Sequence, residues 1–167
     1  MASPDTATDS QQISTESLQG SLGFLLRVAQ LGSFGHFFAV LGDENVRPGV
    51  VTVLDLIREN PGIRQGMVSK TLKIKRAQMS KMIRELESTG LVSRSVPPED
   101  RRAIELRLTK EGEATIARIT ARFPEIERRT QRALTPAEGA ELRRLLIKMT
   151  GLDKTKGEDS DDPDDEC

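Results

Sequence analysis

The sequence predicts a mainly α-helical fold with one small β-hairpin. Apolar residues recur at helical spacing through most of residues 18–150, and the period drops to two only across 91–108. Thr, Pro, Asn and Gly also stand where helices should start and stop. At 167 residues the chain can hold one domain with a real core. Its hydrophobic content of 36% is low for a compact monomer, so a second copy is expected to complete that core.

Residues 1–17 are rich in Ser, Thr, Gln and Asp and read as a disordered arm. A first helix is expected over 18–41 on Leu22, Leu25, Leu26, Ala29, Phe37, Phe38 and Leu41, weakened locally by Gly32 and Gly35. Arg27, Gln30, Ser33 and His36 interrupt it, so it is expected to be a poor membrane span. Pro48 suits the first turn of a second helix on Val50, Val51, Leu54 and Ile57, which Asn60-Pro61-Gly62 ends. A short helix on Ile63, Met67, Val68 and Leu72 follows, then a tight turn at Lys73-Ile74-Lys75 and a helix over 76–88. Gly90 can adopt the left-handed conformation that stops it. Residues 91–96 and 103–108 are expected to pair as strands around a tip at Pro97-Pro98-Glu99-Asp100. Thr109 can cap a long helix reaching Arg132, with a kink at Pro124. Thr135-Pro136-Ala137-Glu138 starts the last helix, whose face is Leu142, Leu145, Leu146 and Met149. The expected organisation is therefore an arm at 1–17, one domain at 18–150 and an acidic disordered tail at 151–167.

The net charge of -1 hides a local asymmetry. Residues 64–110 carry 12 Lys/Arg against 5 Asp/Glu, a local +7, whereas residues 151–167 carry 8 acids against 2 lysines, a local -6. Nucleic-acid binders concentrate cations where phosphate is met, whatever the overall pI. Charge alone fits a solvated segment equally well, so the placement of the cations decides.

Two short helices, a tight turn and a hairpin, in that order, make a winged helix-turn-helix over 46–109, whose second short helix enters the major groove. On that helix Met79, Met82, Ile83 and Leu86 recur at core spacing. The opposite face carries Ala77, Ser80, Lys81, Arg84 and Ser88, with Gln78 and Glu85 at its edge. Gln, Ser, Lys and Arg there supply the donors that read base edges or hold phosphates, and Lys75 and Arg76 add charge at the helix entry. At the hairpin tip Arg101 should project outward and reach a narrow minor groove. Arg102 shares the parity of Ile104 and should lean inward, where Asp100 can hold it.

The run Asp100-Arg101-Arg102-Ala103-Ile104-Glu105-Leu106-Arg107-Leu108-Thr109-Lys110-Glu111-Gly112 resembles the wing signature of MarR proteins, D-x-R-x followed by alternating apolar residues and L-T-x-x-G. Leu86-Glu87-Ser88-Thr89-Gly90-Leu91-Val92 resembles that family's L-E-x-x-G-L-V. The resemblance implies a six-helix winged helix-turn-helix homodimer of MarR type, dimerised through helices at 18–41 and 110–150 and bound to a pseudo-palindromic duplex. By position it implies base reading by Gln78, Ser80 and Lys81 and wing contacts by Arg101 and Arg102. Lys81 stands where many members have Arg, and lysine lacks the planar fork that grips guanine.

Family members often release DNA when a small ligand enters the cleft beside the dimer helices. Cys167, the only cysteine, lies in the acidic tail, a poor place for a peroxide sensor. His36 is the only histidine, so neither a metal site nor a cofactor is expected. The first helix carries four of the five phenylalanines, and Phe24, Phe34, Phe37 and Phe38 with Arg27 and His36 form a candidate pocket for an aromatic acid or aryl thioester. The same phenylalanines fit a dimer core, which is the more usual role for such residues.

A single histidine and the absence of a paired nucleophile or a glycine-rich phosphate loop argue against an enzyme. A winged helix that binds protein instead of DNA is the stronger rival; outward Lys81, Arg84 and Arg101 argue against it. The sequence thus predicts a cytoplasmic, ligand-responsive repressor of transcription, partnered by double-stranded DNA, a second copy and a small effector, and by no membrane.

Overall fold

The computed structural model describes residues 14–44, 46–98, 100 and 103–152. They fall into two compact units that divide between Arg122 and Phe123.

The first unit opens with a one-turn helix, α1 (Glu16–Gln19), which begins inside the stretch expected to be an arm. Ser21 caps the long helix α2 (Leu22–Leu41), its hydroxyl accepting from the Phe24 N–H at 3.3 Å. With the 3-10 turn that follows it, this segment (Leu22–Glu44) is long and apolar enough to cross a membrane by length and composition, despite its polar interruptions. Pro48 occupies the first turn of α3 (Pro48–Glu59), whose Val51, Val53, Leu54 and Ile57 are buried. Phe37, Val40 and Leu41 of α2 and Ile116 and Ile119 of α6 (Lys110–Thr120) are buried too.

The expected hairpin is present and has a third strand beside it. Strand β2 (Val92–Ser95) pairs antiparallel with β3 (Glu105–Leu108), Val92 opposite Leu108. Ile63, expected to open a helix, instead forms β1 (Ile63–Arg64) on the other edge of β3, opposite Leu106. The cause is local: Gly62 takes a φ of +88° after Pro61 and turns the chain so that its N–H donates to the Leu106 carbonyl at 2.9 Å. A two-residue strand is too short to leave a period in the sequence. Helices α4 (Gln65–Leu72) and α5 (Arg76–Ser88) follow β1.

Both family-like motifs have physical reasons. Gly90 sits at φ +74°, and Leu91 N–H donates back to the Leu86 carbonyl at 2.9 Å, closing α5 as expected. Thr109 caps α6, accepting from the Gly112 N–H at 3.0 Å. Gly112 is required by close approach: a Cβ there would lie 2.0 Å from the Leu91 carbonyl oxygen.

The long helix expected from Thr109 to Arg132 is divided. Helix α6 ends at Thr120, and α7 (Phe123–Thr130) starts with Pro124 in its first turn. Proline there has no N–H for the Thr120 carbonyl and clashes with it, so the helix stops ahead of the proline and restarts with it. Helix α7 and helix α8 (Pro136–Thr150) make up the second unit. Thr135 and Glu138 form the expected capping box of α8.

Candidate nucleic-acid interface

Helix α5 presents its two faces as its spacing requires. Met79, Ile83 and Leu86 are buried, while Met82, expected with them, is half-buried at the margin. Lys75, Arg76, Gln78, Lys81 and Arg84 are exposed, Ser80 is half-buried among them, and the first turn holds no acid. Burying one face holds the helix on the domain, and the donors are left on the other.

The turn ahead of α5 is made by Lys73, the one non-glycine residue with positive φ among those described (φ 51°, ψ 39°). Its N–H closes α4 on the Lys70 carbonyl, and the Ile74 N–H reaches the Ser69 carbonyl at 3.0 Å. This turn fixes the angle at which α5 leaves α4.

Several contacts that tie α4, α5, β1 and the hairpin to one another were invisible in the sequence. Gln65 Nε2 donates to Ser80 Oγ at 3.0 Å. Glu87, near the end of α5, pairs with Arg94 of β2 at 2.5 Å. Arg64 of β1 pairs with Asp100 of the hairpin tip at 3.4 Å. Each joins residues of different elements, so no period within one element announces them. Arg101 and Arg102 lie outside the described residues, and with them the expected Asp100–Arg102 contact.

The candidate effector residues divide. On α2, Phe24, Arg27, Phe34 and Phe38 fall on one side at about 100° per residue, whereas His36 falls on the opposite side. Phe37 is buried and meets Phe38 edge-on at 5.5 Å between centroids; Phe38 is itself 50% exposed. His36 therefore does not share a face with Arg27, the other polar residue of the candidate pocket. Among the described residues no group of three His, Cys, Asp or Glu could hold a metal ion.

A helix pair, a three-stranded wing and a cationic outer face on the second helix define a winged helix-turn-helix DNA-binding protein. The sequence pattern of the MarR family matches residues 48–104. A protein named for transcriptional regulation of the hcr operon in Thauera aromatica is 32% identical over 134 residues, covering 80% of this chain and 81% of that protein. The homoprotocatechuate degradative operon repressor of Escherichia coli is 24% identical over 142 residues, covering 85% and 96%. The repressor CouR, solved bound to a 23-mer DNA duplex, has a TM-score of 0.69 at 32% identity and covers 86% of this chain and 99% of its own. BpsR of Bordetella bronchiseptica, solved in work on the regulation of its DNA binding by 6-hydroxynicotinic acid, has a TM-score of 0.74 at 26% identity, covering 86% and 96%. The chain belongs to the MarR family: it is a DNA-binding transcriptional regulator and not an enzyme.

Proposed function

We propose that the protein is a cytoplasmic repressor that binds a pseudo-palindromic operator as a homodimer and is released by a small aromatic acid or aryl thioester. The carrying observation is the outer face of α5, where Lys75, Arg76, Gln78, Lys81 and Arg84 stand exposed around Ser80. In this reading Gln78, Ser80 and Lys81 meet base edges, and Lys75, Arg76 and Arg84 meet phosphates. Arg101 and Arg102 are assigned to the wing contact from sequence alone.

The homodimer is supported by apolar side chains that one copy leaves in solvent. Leu22, Leu25, Val28 and Leu31 of α2 and Leu142, Leu145 and Met149 of α8 are each 45–60% exposed. The second unit also has an open, largely apolar groove of about 290 Å³ lined by Leu142, Leu146 and Ile147. Faces of this kind are covered by protein in stable assemblies.

The effector class is supported by the aromatic side of α2, with Arg27 exposed to meet a carboxylate, and by relatives named for homoprotocatechuate and 6-hydroxynicotinic acid. The test is selection of bound duplexes from a random pool, then displacement by a panel of aromatic acids and their thioesters. A two-fold site bound less tightly as salt rises, and vacated in the presence of one class of acid, is the expected result. Binding that ignores salt would instead favour a protein partner.

A further inference from the structure

Gln65 is the first residue of α4, and three elements meet at it. Its backbone N–H donates to the Ile104 carbonyl at 2.8 Å, at the foot of β3. Arg64, just before it, pairs with Glu105 in the sheet and reaches Asp100 of the hairpin tip. Its side-chain amide crosses to α5 and donates to Ser80 Oγ at 3.0 Å. One residue thus ties the wing by its backbone and the recognition helix by its side chain.

The direction of that last bond matters. A helical Ser or Thr hydroxyl commonly turns back to the carbonyl one turn earlier. Thr52, Thr120 and Thr150 all do so here, donating to Pro48, Ile116 and Leu146. Ser80 instead accepts from Gln65. A hydroxyl has one proton to give and lone pairs with which to accept. An N–H arriving from the protein side occupies one of the two lone pairs, so acceptance is half used while the proton stays free to point outward, toward whatever lies against the exposed face of α5.

We propose that Gln65 is a positioning residue that makes Ser80 a hydrogen-bond donor to DNA, so that one position in each half-site must present an acceptor edge. Guanine O6 and N7, adenine N7 and thymine O4 qualify; cytosine, whose major-groove edge offers only the N4 amino donor, is disfavoured. The inference rests on the DNA-binding reading above and adds a base preference to it.

The test uses the full chain and a selected operator in which every position is replaced by each of the four base pairs. Ranking the four within each variant removes general losses of affinity. The expected result is one position per half-site whose preference, about tenfold, disappears equally in Ser80→Ala and Gln65→Leu. The double variant then loses nothing more than Ser80→Ala, because that change already removes the hydroxyl through which Gln65 acts. Gln65→Glu gives the sharper readout: a carboxylate only accepts, so it draws the Ser80 proton inward and turns lone pairs to the groove. Preference at that position should swing toward cytosine, an outcome that loosened packing does not produce. Melting curves of the three single variants check that each is folded, and the salt dependence of Gln65→Leu should match the parent. Unchanged rankings in Gln65→Leu and Gln65→Glu, or additive losses in the double variant, overturn the inference while leaving the protein a DNA binder. A parent chain that binds no duplex overturns the DNA-binding reading and this inference with it.

Discussion

Lys73 carries the clearest trade at the scale of one residue. A side chain in the left-handed region costs roughly 1–2 kcal/mol, and glycine at the same place escapes that cost while losing more chain entropy on folding. Lys73→Gly should therefore raise stability by about 0.5–1 kcal/mol, read as a higher denaturant midpoint at unchanged slope. A destabilised variant would mean that the lysine stem makes packing contacts that outweigh the strain. Asp43 gives a second residue-scale expectation. The Arg122 guanidinium donates to its two oxygens at 2.8 and 3.0 Å and holds its carboxyl below the ordinary value of 3.8. A carboxyl depressed in the folded state adds stability above its unfolded pKa and loses it as pH falls through the folded one. The stability difference between the parent and Asp43→Asn should accordingly stay constant from about pH 5 to 8 and shrink below about pH 4. A difference that already fades at pH 6 would point to another group. The sequence placed a tight turn at Lys73-Ile74-Lys75 but not the left-handed φ of its lysine, and an ion pair 79 positions apart leaves no local pattern.

At the scale of elements, what could be read in advance was what repeats. The α5 period of Met79, Ile83 and Leu86 placed Lys81 and Arg84 outward, and both are exposed. Thr135-Pro136 and Gly90 marked a helix start and a helix end correctly because caps are local chemistry. The misplacements have the opposite character. Strand β1 exists because β3 offers it a partner, and that edge is not encoded near Ile63. The break before Pro124 was expected as a kink, since a proline in a helical pattern does not reveal whether the helix bends or restarts. For the interface itself, Lys81→Ala and Arg101→Ala should each weaken operator binding while leaving the oligomeric state unchanged. If a removed cation met a phosphate, the slope of log affinity against log salt should also fall by about 0.9. Lys81 is assigned to a base, so its loss should relax preference at one position; Arg101, given a wing contact from sequence alone, should act mainly on the slope. Dissociation into smaller species on either change would show that the residue supports assembly instead of DNA.

Over the whole molecule, the unresolved demand is for something to cover α2 and α8. The chain spends much of its limited apolar content on side chains that remain wet: Leu22 is 60% exposed, Leu31 56% and Met149 51%. Fully burying a side chain of this size is worth roughly 1.5–3 kcal/mol, so covering several at once can outweigh the cost of association. Helix α2 is also apolar enough to pass for a membrane span, and the two explanations differ in what they predict. A second copy would bury Val28 and Leu145 against protein, and two recognition helices held at a fixed spacing would then read two half-sites at once. Val28→Glu or Leu145→Glu places a charge in that contact, which costs several kcal/mol if the charge stays buried. Each variant should sediment as a smaller species than the parent and lose most of its affinity for a two-fold operator. Each should also keep the weaker affinity of one half-site, because α5 is untouched. Helix α2 inserted in a bilayer would give the reverse pattern: the parent would partition onto neutral lipid vesicles, and Val28→Glu would abolish that partitioning. A parent chain that sediments as a monomer at micromolar concentration and stays off vesicles would defeat both explanations and leave the exposed stripe to a partner of another kind.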